Sequence, residues 1–93
     1  MIVGVLTVDV ALLEALTLKD KRRIMLGFRD RLRNQFNVSV AEVEFGDSPR
    51  RCRLGIALVN TGSRAAHAQM DKIVEMIRRT GGLTLLEYHR ELL

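Results

Sequence analysis

The sequence predicts a single α+β domain, and two observations carry that prediction. Two stretches, beginning near Thr17 and Ser63, repeat apolar residues at the three-to-four-residue spacing of an amphipathic helix. Four shorter stretches are rich in alternating or β-branched apolar residues, which is typical of strands. In chain order the six elements run β-α-β-β-α-β. A chain of 93 residues is long enough for one compact core, so we expect one domain over residues 1–93.

The first strand and the first helix have the clearest signals. Residues 2–12 alternate with period two, and the strongly apolar side carries Ile2, Leu6, Val8, Val10 and Leu12. Thr17 follows as a helix cap, and Asp20, three residues later, completes a capping box. The apolar stripe of this helix consists of Leu18, Ile24, Met25, Phe28, Leu32 and Phe36.

The remaining four elements follow with short connections. Residues 37–45 predict a second strand, residues 46–49 (GDSP) a turn, and residues 51–59 a third strand. Ser63 is the expected cap of the second helix, which ends at the glycine pair 81–82. The apolar stripe of this helix is Ala66, Met70, Ile73, Val74 and Ile77, and residues 83–88 predict the last strand.

Two split βαβ units interleaved in this order are typical of the ferredoxin-like fold. That fold is a two-layer sandwich in which both helices cover one face of an antiparallel sheet. It hosts enzymes, regulators and nucleic-acid binders, so function has to be argued from individual side chains.

Composition favours a cytoplasmic protein without a metal or cofactor. The one cysteine, Cys52, has no partner for an internal disulfide, and no Cys/His spacing suits a metal. No apolar run reaches the roughly 18 residues of a membrane span. The apolar N-terminus lacks a preceding basic region and contains Asp9, so we do not expect a secretory signal.

Positive charge is concentrated in the first helix. The net charge of the chain is +4, and residues 17–36 hold seven cations and two anions. Free N–H groups at a helix start together with basic side chains suit phosphate, and RNA is the natural ligand for such a row. The candidate anion- or RNA-binding residues are Lys19, Lys21, Arg22, Arg23, Arg29 and Arg33.

The basic helix also has two alternative interpretations. Carboxylates such as Asp20, Glu14 or Glu87 would neutralise the cluster and leave an ordinary solvated surface, or the cluster would bind a small acidic metabolite. Lys21 falls in the core-facing sector of the helix, so its ammonium has to reach the rim or meet a carboxylate.

The uncovered face of the sheet is predicted to be aliphatic, and a partner is expected there. We interpret it as the face of a two-fold homodimer. Aromatic residues make up only 4% of the chain, which argues against a base-stacking platform. The predicted dimer face consists of Val3, Val5, Thr7, Val38, Val40, Ala57 and Val59.

No arrangement of catalytic residues emerges, so a non-enzymatic role is expected. Glu42 and Glu44 are predicted to point the same way on an edge strand, where charge discourages aggregation. Asp9 is expected to bind an arginine, with Arg53 as the candidate, and Cys52 is expected in the core.

Three segments, TLKDKRR (17–23), FNVSVAEV (36–43) and RLGIALVNT (53–61), resemble motifs of the YlxP-like family of small bacterial proteins of unknown function. The resemblance implies the ferredoxin-like fold and no established activity, cofactor or catalytic residue. It also implies a tryptophan in the hairpin, which FGDSPRRCR (45–53) lacks. Genes of the family often lie near translation-initiation and ribosome-maturation genes, which favours an RNA- or ribosome-associated domain. The alternative is a dimeric regulatory domain that binds an acidic metabolite.

Overall fold

The computed structural model describes all residues 1–93 and contains the six elements in the predicted order. They are β1 (Ile2–Ala11), α1 (Leu18–Gln35), β2 (Val38–Glu44), β3 (Arg51–Asn60), α2 (Ser63–Arg79) and β4 (Thr84–Leu92). The strands form one antiparallel sheet in the order β2-β3-β1-β4, so β2 and β4 are its edges. This α+β topology is consistent with the predicted ferredoxin-like arrangement. Neither helix combines the length and the apolar character needed to cross a lipid bilayer.

The start of α1 confirms the predicted capping box. The backbone N–H of Asp20 donates to Thr17 Oγ1 at 3.1 Å, and the Thr17 N–H donates to Asp20 Oδ2 at 3.3 Å. The Leu16 N–H donates to the same carboxylate at 3.1 Å and, with Thr17, holds the pKa of Asp20 below its ordinary value. Cations in the first turn oppose the helix dipole, and the Asp20 carboxylate offsets part of that cost.

Two element boundaries differ from the prediction. The cap of α2 is Gly62, with no side-chain hydrogen bond, and Ser63 is already helical. The last strand extends from Thr84 to Leu92, beyond the predicted end at 88. The additional residues pair with β1, and Leu92 lies opposite Gly4. Because β4 is an edge strand, its residues are mostly exposed, and buried and exposed side chains alternate only weakly along it.

A single apolar core joins the sheet to both helices. Met25, Phe28 and Leu32 of α1 are buried in the same cluster as Met70 and Ile73 of α2. Cys52 is also buried there, as predicted. The strand residues of the cluster are Leu6, Val8, Val10, Val40, Cys52, Leu54, Ile56 and Leu58. The face of the sheet turned away from this cluster is called the open face below.

The prediction that Val38 and Val40 belong to the open face is wrong. Val40 pairs with Ile56 and Val38 with Leu58, and directly opposed residues of antiparallel strands share a face. Val40 is buried in the core, and Val38 packs against it. Because side chains alternate with period two, a shift of one residue in the assumed phase of β2 exchanges its two faces.

Candidate functional site

Lys21 is an internal residue. Its side chain is only 3% exposed, and its ammonium lies 2.7 Å from Glu42 Oε2. It also donates to the backbone carbonyls of Phe45 at 2.7 Å and Ser48 at 2.8 Å, which uses all three of its protons. The prediction that Lys21 would meet a carboxylate is therefore confirmed, and its assignment to an anion site is wrong. The physical reason is its place one turn before Met25 on the buried stripe of α1.

A β-bulge separates Glu42 from Glu44 on β2. In the β2–β3 pairing Glu42 lies opposite Leu54, whereas Glu44 lies opposite Arg53. The residue between them is extra, so the two carboxylates point to opposite faces of the sheet. The prediction that they point the same way is wrong for this reason, and the alternating sequence of β2 contains no direct signal of the bulge.

Glu42 is charged within this network. Burial raises the pKa of its carboxyl, and hydrogen bonds from Lys21 and the Cys52 thiol, with the charge of Lys21, outweigh that effect and hold the pKa below its ordinary value. The pKa of the Cys52 thiol is raised to about 12. The larger cause is burial of the thiol, and the second is its hydrogen bond to the Glu42 carboxylate. A thiol of this kind is protonated at neutral pH and is a poor nucleophile.

Phe45 adopts a left-handed backbone conformation, with φ of 67°. This conformation costs a non-glycine residue roughly 1–2 kcal/mol. Two contacts offset that cost: its carbonyl accepts the Lys21 ammonium, and its ring lies beneath two guanidinium groups. The ring centroid is 4.7 Å from the guanidinium carbon of Arg51 and 5.2 Å from that of Arg53.

Asp9 and Arg53 form the predicted ion pair on the open face. Arg53 donates from Nε to Asp9 Oδ1 at 2.5 Å and from Nη2 to Oδ2 at 2.9 Å, and it also donates to Glu44. The hydrogen bond to Arg53 lowers the pKa of the buried Asp9 carboxyl against the effect of burial. A carboxylate held in its charged form by a bidentate partner is a weak base, so we assign Asp9 a structural role.

Four predicted cations form what we call the cationic flank: Lys19, Arg22, Arg29 and Arg33. None of the four takes part in an ion pair. Their spacing of three, seven and four residues places them along one side of α1. Arg33 Nη2 donates to the Val40 carbonyl at 3.3 Å, so this side adjoins the edge strand β2. Arg23 is largely exposed and makes only a loose contact with Asp20 at 3.8 Å.

The cationic flank borders a small cavity. Arg22 and Arg29 line it together with Lys21, Glu42 and Cys52, and its volume is about 50 Å³. The Nε of Arg29 is buried and has no hydrogen-bond acceptor in the protein. Sequence reasoning identified the two arginines but not the cavity, because the register of β2 decides which of its residues face α1.

Five of the seven predicted dimer-face residues lie on the open face. Val3, Val5 and Thr7 of β1 are partly buried, and Ala57 and Val59 of β3 are exposed. Dimerisation through this face stays a prediction.

Residues 3–90 of the chain match the model of a protein family whose description is "Protein of unknown function (DUF503)". The chain belongs to this family. It is also similar to the "Uncharacterized protein YlxP" of Bacillus subtilis (strain 168), with 27% identity over 75 residues, or 81% of this chain and 82% of the relative. The resemblance to the YlxP-like family is thereby confirmed. Neither description names an activity.

Proposed function

We propose that the protein is a non-enzymatic, RNA- or ribosome-associated domain that binds the phosphate backbone through the cationic flank. The observation that carries the proposal is that Arg22, Arg29 and Arg33 lie along one side of α1 without an ion-pair partner. At 1.5 Å per residue, positions 22 to 33 span roughly 16 Å, which is longer than a single phosphate group. The planar guanidinium donates to phosphate oxygens in pairs, so such a row suits a polyphosphate backbone.

The expected binding mode is electrostatic and independent of base sequence. The exposed side chains of the flank are basic rather than aromatic, so they contact phosphates and do not stack on bases. Of the six predicted cations, Lys21 is consumed internally and Arg23 is held loosely by Asp20. The proposal therefore rests on the four residues of the cationic flank.

The proposed function includes a cytoplasmic location, since RNA and ribosomal particles are found in the cytoplasm.

Salt dependence tests this proposal. The variant Arg22→Gln/Arg29→Gln/Arg33→Gln removes three charges from the cationic flank, and binding of a single-stranded RNA is measured across a salt series. We expect the slope of log K against log salt to become shallower by about 2, at roughly 0.7 for each phosphate that the variant no longer neutralises.

The matched control removes three charges from the other helix. Arg64, Lys72 and Arg79 are exposed residues of α2, and their replacement by Gln lowers the net charge by the same amount. We expect the salt slope of this control to stay close to that of the wild type. An unchanged slope in the flank variant, or equal changes in both variants, contradicts the proposal.

The proposal includes the full ferredoxin-like sandwich, with both helices on the same side of the sheet. The strand order β2-β3-β1-β4 and the joint burial of α1 and α2 residues in one cluster support it. In that arrangement α1 lies beside β2, and the cationic flank is accessible from the edge of the sheet.

A second candidate function is a dimeric regulatory domain that binds an acidic metabolite at the subunit boundary. The observation that favours it is an aliphatic patch on the open face, where Val59 is 59% exposed beside Ala57 and Val3. Sedimentation at micromolar concentration, with Val59→Lys as the disrupting variant, tests the dimer. A wild-type protein that stays monomeric rejects the dimer.

A thermal shift measurement tests the ligand. Stabilisation by an acidic metabolite and none by RNA favours the regulatory domain over the RNA-associated domain.

A further inference from the structure

The small cavity beside the cationic flank has the composition of an anion site. It lies between the N-terminal half of α1 and strands β2 and β3. Leu18, Met25 and Leu54 form its apolar walls. Its charged groups are three cations, Lys21, Arg22 and Arg29, and the carboxylate of Glu42.

The charges in this cavity do not cancel. Lys21 and Glu42 neutralise each other at 2.7 Å, and two carbonyl oxygens complete the shell of the ammonium. The guanidinium groups of Arg22 and Arg29 form no ion pair, and together they leave the cavity with an excess of positive charge. A partly enclosed pair of like charges attracts an anion more strongly than the same pair on an open surface.

Arg29 supplies the second observation. Its Nε–H is buried, yet no protein acceptor reaches it. Buried donors in folded proteins almost always have a partner, so a donor at a cavity wall that no protein group uses is available to an acceptor that enters the cavity. Arg33, one turn further along the same side of α1, does reach a protein acceptor, the carbonyl of Val40.

We propose that this cavity binds one phosphate group, with Arg29 as the inner donor and Arg22 at the rim. A single water needs roughly 10–15 Å³ of such space, so about 50 Å³ takes a group the size of one phosphate and excludes a base or a sugar. Guanidinium groups bind tetrahedral oxyanions through paired N–H donors, which explains two arginines at one small cavity. This inference rests on the proposed function in one respect, since Arg22 and Arg29 also belong to the cationic flank.

The phosphate group has two sources, a nucleic-acid backbone or free inorganic phosphate. The first test uses the whole chain, labelled with ¹⁵N, and a titration with inorganic phosphate at constant ionic strength against sodium chloride. We expect saturable shifts of amide signals at the cavity, at Arg29, Gly46 and Cys52, with phosphate and none with chloride. Shifts that do not saturate, or that are equal with both salts, overturn the site and leave a water as the partner of Arg29.

Two conservative variants separate a formed site from general attraction. Arg29→Lys keeps the charge and removes the buried Nε–H, whereas Arg33→Lys makes the same change outside the cavity. We expect Arg29→Lys to weaken phosphate binding about tenfold and Arg33→Lys to change it less than about twofold. Equal effects of the two variants overturn the assignment of Arg29.

The same variants distinguish the two sources and the two proposals. If Arg29→Lys weakens both phosphate and RNA binding, the cavity holds a backbone phosphate; if it weakens phosphate binding alone, the ligand is free phosphate. Saturable phosphate binding by a protein that does not bind RNA overturns the proposed function and supports the cavity site. Salt-dependent RNA binding without saturable phosphate binding overturns the cavity site and supports the proposed function.

Discussion

The ammonium of Lys21 lies 2.7 Å from the carboxylate of Glu42 and connects the first turn of α1 to the end of β2. The same ammonium binds the carbonyls of Phe45 and Ser48, so it also holds the turn between β2 and β3. One buried cation thus ties together a helix, an edge strand and a turn. Its removal leaves two carbonyls without their donor and the Glu42 carboxylate without its ion-pair partner.

Replacement of Lys21 by Met is expected to destabilise the protein by about 2–3 kcal/mol. Breaking a fully buried ion pair costs roughly 3–5 kcal/mol, and we expect a smaller loss here because the Glu42 side chain is 31% exposed. Urea unfolding measures the change. Lys19→Met is the control, since Lys19 is exposed and forms no ion pair, and we expect it to change stability by less than about 0.5 kcal/mol. Similar losses in the two variants would contradict the role given to Lys21.

Acid is expected to destabilise the protein through Asp9 and Glu42. Both carboxyls have a pKa held below the ordinary values of 3.8 and 4.5, so their stabilisation is present above those values. It is lost as pH falls through the lower pKa values of the folded state. The free energy of unfolding, measured in urea from about pH 7 to about pH 3, should therefore decline below about pH 4.5. Glu42→Gln should make the decline shallower; an identical pH profile in this variant would exclude Glu42 as a contributor.

The left-handed conformation of Phe45 gives a matched pair of variants. Phe45→Ala and Phe45→Gly both lose the ring and its contacts with Arg51 and Arg53. Only glycine also relieves the backbone strain, so Phe45→Gly should be more stable than Phe45→Ala by roughly 1 kcal/mol. Thermal or urea unfolding of the pair measures this difference. The reverse order would show that φ at this position carries no cost.

Cys52 is expected to be inert in the folded protein. Its thiol is buried, and burial together with the hydrogen bond to Glu42 raises its pKa to about 12. A thiol-disulfide reagent at about pH 8 should modify it only after the protein is unfolded in urea, because only the exposed thiolate reacts. Modification of the native protein as fast as that of the unfolded chain would contradict this environment.

The order and type of all six elements were predictable because their signals are local. The capping box at Thr17 and Asp20 and the apolar stripes of the two helices depend only on residues within one or two turns. The ion pair of Asp9 with Arg53 was also predictable, since a carboxylate in an apolar strand needs a partner and Arg53 lies opposite it on β3. The faces of β2 were not, because both of its sides carry apolar residues and the extra residue between Glu42 and Glu44 turns Glu44 to the opposite face.

The sequence alone therefore determined the β-α-β-β-α-β order, the family and the concentration of positive charge along α1. Only the tertiary structure decided which cations remain free, because an ion pair depends on distances between residues far apart in the chain. The register of β2 against β3 turned Glu42 toward Lys21, and the packing of α1 beside β2 left Arg22, Arg29 and Arg33 without carboxylate partners.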